Sequence, residues 1–472
     1  MASVTSLSEE KTETAALAAD RPTRGAAASV ARGFSREALE ALIAARPFEP
    51  GWMRDVRWES WRILQDTPLP ARTDEAWRRT DFSALKLDEV ATPAADLKQS
   101  LKQTPLPVRN VLRDKDASGA LLQVDGLVAG SWLAESLRQR GVIFTDMDTA
   151  LREHGEMLKR RFMTEIVKPN DGYFAALHGA FWQGGVFLYV PAGVDAPLPV
   201  RAATWLSHNA ASFGHTLIIV ERGARVVFID EYASRHRDAA STPERPAMVC
   251  GAVEMLVGPG AQLDYVSWQD WGRDVFNFTH ERAHVERDAT LHWVVAGLGS
   301  RLTKSFLDSR LVGEGSTALM SGVYFVDGAQ HIDYDTEQNH VAGRARSDLL
   351  YKGALRDKAR AVWQGNIRVF PGAQRTDAYQ ASRSLSLSNS ARADSIPGLE
   401  IEADDVRCTH GAAVSQVDKE EIFYLMARGI PEKIAVQLIV NGFFKPVLDR
   451  IPMDNVRARL EASFAAKMGL VE

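Results

Sequence analysis

Apolar positions along the chain change their period twice. From residue 34 to about 170 they recur mostly at helical spacing. Ser35 stands where an N-cap belongs, ahead of Leu39, Leu42 and Ile43 on one face, and Pro47 ends the run. A second helical stretch carries Trp52, Val56, Trp61 and Leu64 and stops at Pro68 and Pro70. Residues 105–170 mix strand-like runs at 120–124 and 142–144 with a helix expected around 147–167. From about Phe181 short β-type runs follow one another: 186–190, 216–220, 226–229, 252–257, 263–266 and 291–295. Gly-rich punctuation separates them, and no helix of ten or more residues is expected before about residue 405. After residue 410 helical spacing returns. Asp418-Lys-Glu-Glu421 has the form of a capping box, Ile422, Leu425 and Met426 share a face, and Gly429 suits a C-cap. Pro431 opens the next helix, with Ile434, Leu438 and Ile439 as its apolar face. Val456, Leu460 and Phe464 mark a last one. The expected domains are a mostly helical one at 34–170, a β core at 171–408 and a C-terminal helical one at 409–472. Residues 1–33, rich in Ala, Ser, Thr and charge with no periodic apolar face, read as a disordered tail.

The β segment contains a repeat. A β-branched or apolar residue is followed by two variable positions, then Gly or a polar residue, then a small residue. The copies are Val190-Pro-Ala-Gly193-Val194, Val220-Glu-Arg-Gly223-Ala224, Val257-Gly-Pro-Gly260-Ala261, Val285-Glu-Arg-Asp288-Ala289, Val312-Gly-Glu-Gly315-Ser316, Leu355-Arg-Asp-Lys358-Ala359 and Val369-Phe-Pro-Gly372-Ala373. Gly at the fourth position suits a turn with positive φ, and Asp tolerates it; Lys358 fits less well. Successive fourth positions lie 30, 37, 28, 27, 43 and 14 residues apart. Strand–turn–strand units at that recurrence predict a stacked β-solenoid, with a β-sandwich as the alternative.

Composition narrows the function classes. With 45% hydrophobic residues among 472, the chain can build a large core, so neither disorder nor a disulfide mini-protein is credible. Acidic residues exceed basic ones, 61 to 56, which argues against nucleic acid as a partner. Two cysteines, Cys250 and Cys408, make a disulfide framework improbable and point to reducing cytoplasm. No apolar run reaches membrane-spanning length, and Glu9, Glu10 and Lys11 occupy the place of a signal-peptide core, so no membrane partner is expected.

Cys408-Thr409-His410 ends the β segment. On a strand, Cys408 and His410 share a face with Cα atoms roughly 6.5–7 Å apart. A thiolate and an imidazole so placed can ligate iron, zinc or an iron–sulfur cluster, but two ligands do not complete a site. A buried structural Cys beside a hydrogen-bonded His is the plainer alternative. His331, Asp333, Asp335 and Glu337 alternate along another run, with His340 after them, and would line one strand face as a carboxylate–imidazole site or as a solvated polar surface. His280 and His284 have helical spacing on a β run and form no pair by that geometry, and Cys250 belongs to the core. The chain carries no GxxxxGK[ST], no GxSxG and no CxxC. It should therefore not hydrolyse ATP, use a serine elbow or hold a self-contained tetrathiolate metal site.

The run Ala403-Asp-Asp-Val-Arg-Cys408-Thr-His410-Gly-Ala-Ala-Val-Ser-Gln-Val-Asp418-Lys-Glu-Glu-Ile-Phe-Tyr-Leu425-Met-Ala-Arg-Gly429-Ile430 closely resembles the signature of the SufB/SufD family of iron–sulfur cluster assembly proteins. Tyr351-Lys-Gly-Ala-Leu355, Gln364-Gly-Asn-Ile367, Ala373-Gln-Arg-Thr-Asp377-Ala-Tyr-Gln380, Asp74-Glu-Ala-Trp77-Arg-Arg-Thr-Asp-Phe82 and Gly185-Val-Phe-Leu-Tyr-Val190-Pro agree with it, so the resemblance covers roughly residues 70–445. Within the family the chain looks SufD-like. Ala381 stands where SufB has a cysteine in a Thr-Gln-Cys-Asp context, and another SufB cysteine falls near Ala233; the run from Leu399 to His410 is SufD-like.

The resemblance implies a right-handed parallel β-helix flanked by N-terminal and C-terminal helical domains. It implies a non-catalytic scaffold that pairs with a SufB-like paralogue and binds a SufC-like ATPase through the C-terminal helices. It leaves open pairing of two copies of this chain through the same β-helix. Cys408 and His410 match residues placed at the SufB–SufD interface, which implies a transient iron or iron–sulfur cluster there and no permanently bound cofactor. Three rivals remain: a SufB-like scaffold, a carbohydrate-active β-helix using Asp333, Asp335 and Glu337, and a Cys–His hydrolase on Cys408 and His410.

Overall fold

The computed structural model describes residues 33–90, 97–207, 211–235, 247–451 and 453–469. The tail expected at 1–33 lies, apart from Gly33, outside the described residues.

Ser35 caps the first helix, Arg36–Ala45, by accepting the Ala38 N–H, and a second helix runs over Gly51–Asp66. The helix expected at 147–167 is instead two short ones, Met147–Glu153 and Gly155–Lys159, which break at His154. His154 has an extended φ of −130°, and Gly155 follows it with its low helix propensity.

From Arg225 onward, consecutive strands alternate between two sheets, and every pairing is parallel. The result is a parallel β-solenoid with two strands per coil. In one sheet Gln262, Thr290, Thr317, Arg346, Asp377 and Arg407 stack in register, so the coils take 28, 27, 29, 31 and 30 residues. That sheet begins earlier in the chain, because Gly119–Val124 pairs in parallel with Val200–Leu206. The turn repeat accounts for most of the corners: Gly193, Gly223, Gly260, Asp288 and Gly315 all have positive φ, whereas in the seventh copy Arg375 takes it instead of Gly372. Asp357, not Lys358, takes that conformation in the sixth copy, and that copy sits at the opposite corner of the coil, before Arg360–Val369. The corner skipped between Gly315 and Gly372 is made by Arg344, at φ 58°. The irregular spacings of 43 and 14 thus come from one copy lying on the wrong side of a regular coil.

The lumen is packed by inward residues such as Leu263, Leu291, Met320, Leu349 and Trp363. The N-terminal helices cover the outside of one sheet: Trp77, Phe82 and Phe174 meet Phe278, with Phe174 stacked on Phe278 at 3.9 Å. Buried Arg57 ties these helices to one another, donating to Glu49 at 2.7 and 2.9 Å and to the carbonyls of Ala180 and Trp182. The C-terminal helices cover the other sheet, with Val440, Phe444, Leu460 and Phe464 against Ile229, Val266, Val294 and Val323.

Candidate functional site

Cys408 and His410 lie on Arg407–Gln416, the last strand of its sheet, beside Arg392–Ile401, the last strand of the other. Each of these strands keeps one edge without a hydrogen-bonded neighbour among the described residues. Register fixes which way the side chains point. Cys408 stacks on Ala378, His410 on Gln380, and Ala412 on Ser382, and all three partners are buried in the lumen. In the opposite strand Leu399 stacks on Ile367 and Ile401 on Val369. Ile367 and Val369 are fully buried, yet Leu399 and Ile401 are 37% and 43% exposed. Columns that are core everywhere else therefore end in the open, and Cys408, His410, Leu399, Ile401 and Val414 line an uncovered mouth of the solenoid.

Within that mouth the two candidate ligands differ. The Cys408 thiol is half-buried against Ile367, Val369, Ala373 and Ala378, whereas His410 is exposed. Burial, and secondly the Asp377 charge, raise the Cys408 pKa. Asp377 is itself held by Arg407 through bonds of 2.9 and 2.7 Å. A raised pKa disfavours the free thiolate, whereas a bound metal ion would deprotonate the thiol outright. Among the described residues no group of three or more His, Cys, Asp and Glu is placed to hold a metal ion. A metal held at this mouth would need further ligands from beyond Cys408 and His410.

Gln380, which closes one of the family-like segments but was not among the candidate site residues, lies directly beneath His410. Its Nε2 donates to the carbonyls of Gly365 and Gly398, at 3.3 and 3.0 Å, and its buried Oε1 has no partner. Its position in the shared alternation with Cys408 and His410, two strands' worth of sequence earlier, was the available signal.

The other candidates separate. His331, Asp333, Asp335 and Glu337 do share the outer face of His331–His340, but that face is packed rather than open. Asp333 accepts from Thr80 and pairs with the fully buried Lys304 at 3.0 Å, and Lys304 also lies 3.6 Å from Asp335. Burial pushes Asp335 up to about 6 and His331 down to about 3. A polysaccharide could not reach Asp333. His340 points the other way, with Nε2 2.8 Å from Ser347 Oγ. His280 stacks on Phe306 and His284 lies four residues along the same strand, roughly 13 Å away. Cys250 is in the core, donating to the Phe174 carbonyl.

At the other boundary, the C-terminal helices Lys419–Ala427 and Glu432–Leu448 carry a second uncovered surface. Asp418 caps the first through Glu420 N, and Gly429 ends it with φ 83°. Of the face expected to pack, Ile439 is half-buried against the solenoid, but Ile434 and Leu438 are 38% and 47% exposed, because Ala435, Val440, Phe444 and Val447 take the buried side. Phe423, Tyr424 and Met426 are exposed beside them. No helix among the described residues is long and apolar enough to cross a membrane.

Comparison with known proteins agrees along the whole β segment. The family model described as "SUF system FeS cluster assembly, SufBD core domain" matches residues 204–443, and "SufBD protein N-terminal region" matches residues 40–202. The chain is 28% identical to "Iron-sulfur cluster assembly protein SufB" of Bacillus subtilis over 90% of each chain. It is 30% identical to "Iron-sulfur cluster assembly protein SufD" of the same organism, over 89% of this chain and 95% of the relative. An "Iron-sulfur cluster assembly SufBD family protein" of Staphylococcus epidermidis is 29% identical over 90% of each chain.

Proposed function

The chain belongs to the SufB/SufD family of iron–sulfur cluster assembly proteins, and we propose that it serves as a SufD-like scaffold subunit. The mouth lined by Cys408, His410, Leu399, Ile401 and Val414 is its docking face for a SufB-like paralogue, and this uncovered mouth is the observation that carries the reading. A second solenoid set against it would pair the two open strand edges and bury the exposed columns.

Iron, or a nascent iron–sulfur cluster, is the cargo. Cys408 supplies a thiolate once metal displaces its proton, and His410 supplies an imidazole. The partner supplies the remaining ligands, so the site is complete only while the two subunits are together. Such a mixed, divided site holds its cargo weakly enough to release it. A SufC-like ATPase docks on Phe423, Tyr424, Met426, Ile434 and Leu438, and the hydrolytic chemistry belongs to that subunit, in keeping with the missing phosphate loop here. The SufD-like assignment rests on Ala381 in place of one SufB cysteine, on another that falls near Ala233, and on the run from Leu399 to His410. A SufB-like role is the second reading, favoured by the similar identity to SufB.

The reading is tested by Cys408→Ala with His410→Ala in a complex reconstituted from this chain, its paralogue and the ATPase. Cluster transfer to an apo-ferredoxin should fall at least tenfold with assembly of the complex unchanged. Wild-type transfer would remove Cys408 and His410 from the mechanism.

A further inference from the structure

His410 tops a column of side chains that runs down the lumen through Gln380, Leu349, Met320, Trp293 and Tyr265, one residue per coil. Below Gln380 the column is apolar or aromatic, so an amide directly under the mouth breaks the pattern. Gln380 is also fully buried. Burying an amide costs free energy unless both of its ends are bonded.

One end is bonded. Gln380 Nε2 reaches across the lumen to the carbonyls of Gly365 and Gly398, on Arg360–Val369 and Arg392–Ile401 of the other sheet. Two carbonyl acceptors fix which end is the nitrogen, because a turned amide would set Oε1 against two oxygens. Glycine at 365 makes the room, since a Cβ there would fall 2.6 Å from Oε1. Oε1 is left as a buried acceptor without a partner, on the residue directly beneath His410. Gln338 also bridges the lumen, to Ser347 Oγ at 2.6 Å and the Tyr379 carbonyl at 3.2 Å. By register it sits two coils below Leu399, roughly 10 Å down the stack and out of reach of His410.

His410 has the complementary need. Its exposed ring makes no hydrogen bond among the described residues. An imidazole that binds a metal through one nitrogen donates its other N–H to a fixed acceptor, which sets the tautomer and the orientation of the ring. His410 and Gln380 are register partners on adjacent strands, about 4.8 Å apart, with side chains on the same face.

We infer that Gln380 is a positioning residue for the cargo site, its Oε1 accepting the free ring N–H of His410 when that ring turns into the mouth to bind iron. The two glycine carbonyls hold the amide still, so the acceptor is in place before cargo arrives. The inference rests on the reading of Cys408 and His410 as cargo ligands and adds what aims the imidazole.

The test uses the complex reconstituted from this chain, its paralogue and the ATPase, loaded with ferrous iron and sulfide. Pulsed electron paramagnetic resonance of the reduced cluster should show the His410 nitrogen coupling in the parent. Gln380→Met, similar in length but without an acceptor, should weaken or spread that coupling and shorten retention of the cluster against a chelator about tenfold. Gln380→Glu keeps an acceptor beneath His410 and should restore both. Melting temperature and capture of the paralogue should stay at parent values in each variant. If Gln380→Met fails to assemble, Gln380→Leu decides. Coupling and retention unchanged in Gln380→Met would overturn the inference alone, and so would a Gln380→Glu as impaired as Gln380→Met, which would leave Gln380 as a brace between the sheets. A parent cluster with no nitrogen coupling would overturn the reading of His410 as a ligand, and the inference with it.

Discussion

Lys304 and Glu254 show how much depends on single side chains that no motif marks. Lys304 is fully buried and neutralises Asp333 and Asp335. Replacing it by Met should cost about 3–5 kcal/mol, the range for breaking a buried pair, read from the urea midpoint. Adding Asp333→Asn should recover a large part of that loss. Glu254 ends a buried chain of groups. The Cys250 carbonyl can only accept, so His178 donates from Nδ1. With both imidazoles kept neutral by burial, His178 Nε2 accepts from His215 Nδ1, and His215 Nε2 accepts from a protonated Glu254. Burial pushes Glu254 up to about 8, against the backbone N–H groups of Met163 and Val167 and the more distant Arg282, while Asp171 adds to the rise. An unfolded chain sheds this proton near pH 4.5, the folded one near 8. Folding stability should therefore decline as pH rises through that window, by at most ~1.4 kcal/mol per pH unit from this group. Glu254→Gln, which keeps a donor toward His215, should flatten that slope in denaturant titrations at pH 5, 6, 7 and 8; an unchanged slope would assign the proton elsewhere. Of these residues the sequence reading named only Asp333, Asp335 and Cys250. Cys408 and His410 drew notice by lying two apart on a strand that ends a repeat, but the family resemblance, not the spacing, made them candidate ligands. Lys304 and Glu254 carry no such mark, since their partners lie one or more coils away in the chain.

At the scale of elements, local signals placed the helices well and their faces less well. Ser35, Asp418 and Gly429 act at helix ends as their types suggest, because capping is decided within four residues. Which stripe of Glu432–Leu448 is buried depends on the solenoid sheet beneath it, and Ile434 and Leu438 were assigned to the wrong side for that reason. The two faces should respond differently to substitution. Phe444 is fully buried and packs on Phe464 at 4.7 Å, so Phe444→Ala should cost about 3–5 kcal/mol and raise hydrogen exchange across 432–467. Phe423 is 72% exposed, so Phe423→Asp should leave the melting temperature within a degree or two of the parent and yet abolish ATPase capture in pull-down. If Phe423→Asp still captures the ATPase, the docking face lies elsewhere.

For the whole molecule, the turn repeat was enough to choose a solenoid over a sandwich, and one copy at the opposite corner explains the spacings of 43 and 14. What spacing could not reveal is where stacking stops. A last coil is written in the same alternation as the coils before it, so Leu399 and Ile401 read as core and only the finished stack leaves them bare. Ile401→Glu with Val414→Lys should accordingly leave the melting of the isolated chain unchanged while abolishing capture of the paralogue. The central claim, that Cys408 and His410 hold cargo at a shared interface, is reached most directly by pulsed electron paramagnetic resonance of the reduced cluster on the assembled complex. The account predicts a nitrogen coupling that disappears in His410→Ala and a cluster lost or altered in Cys408→Ala. A cluster with the same spectrum in the parent and in both variants would contradict it.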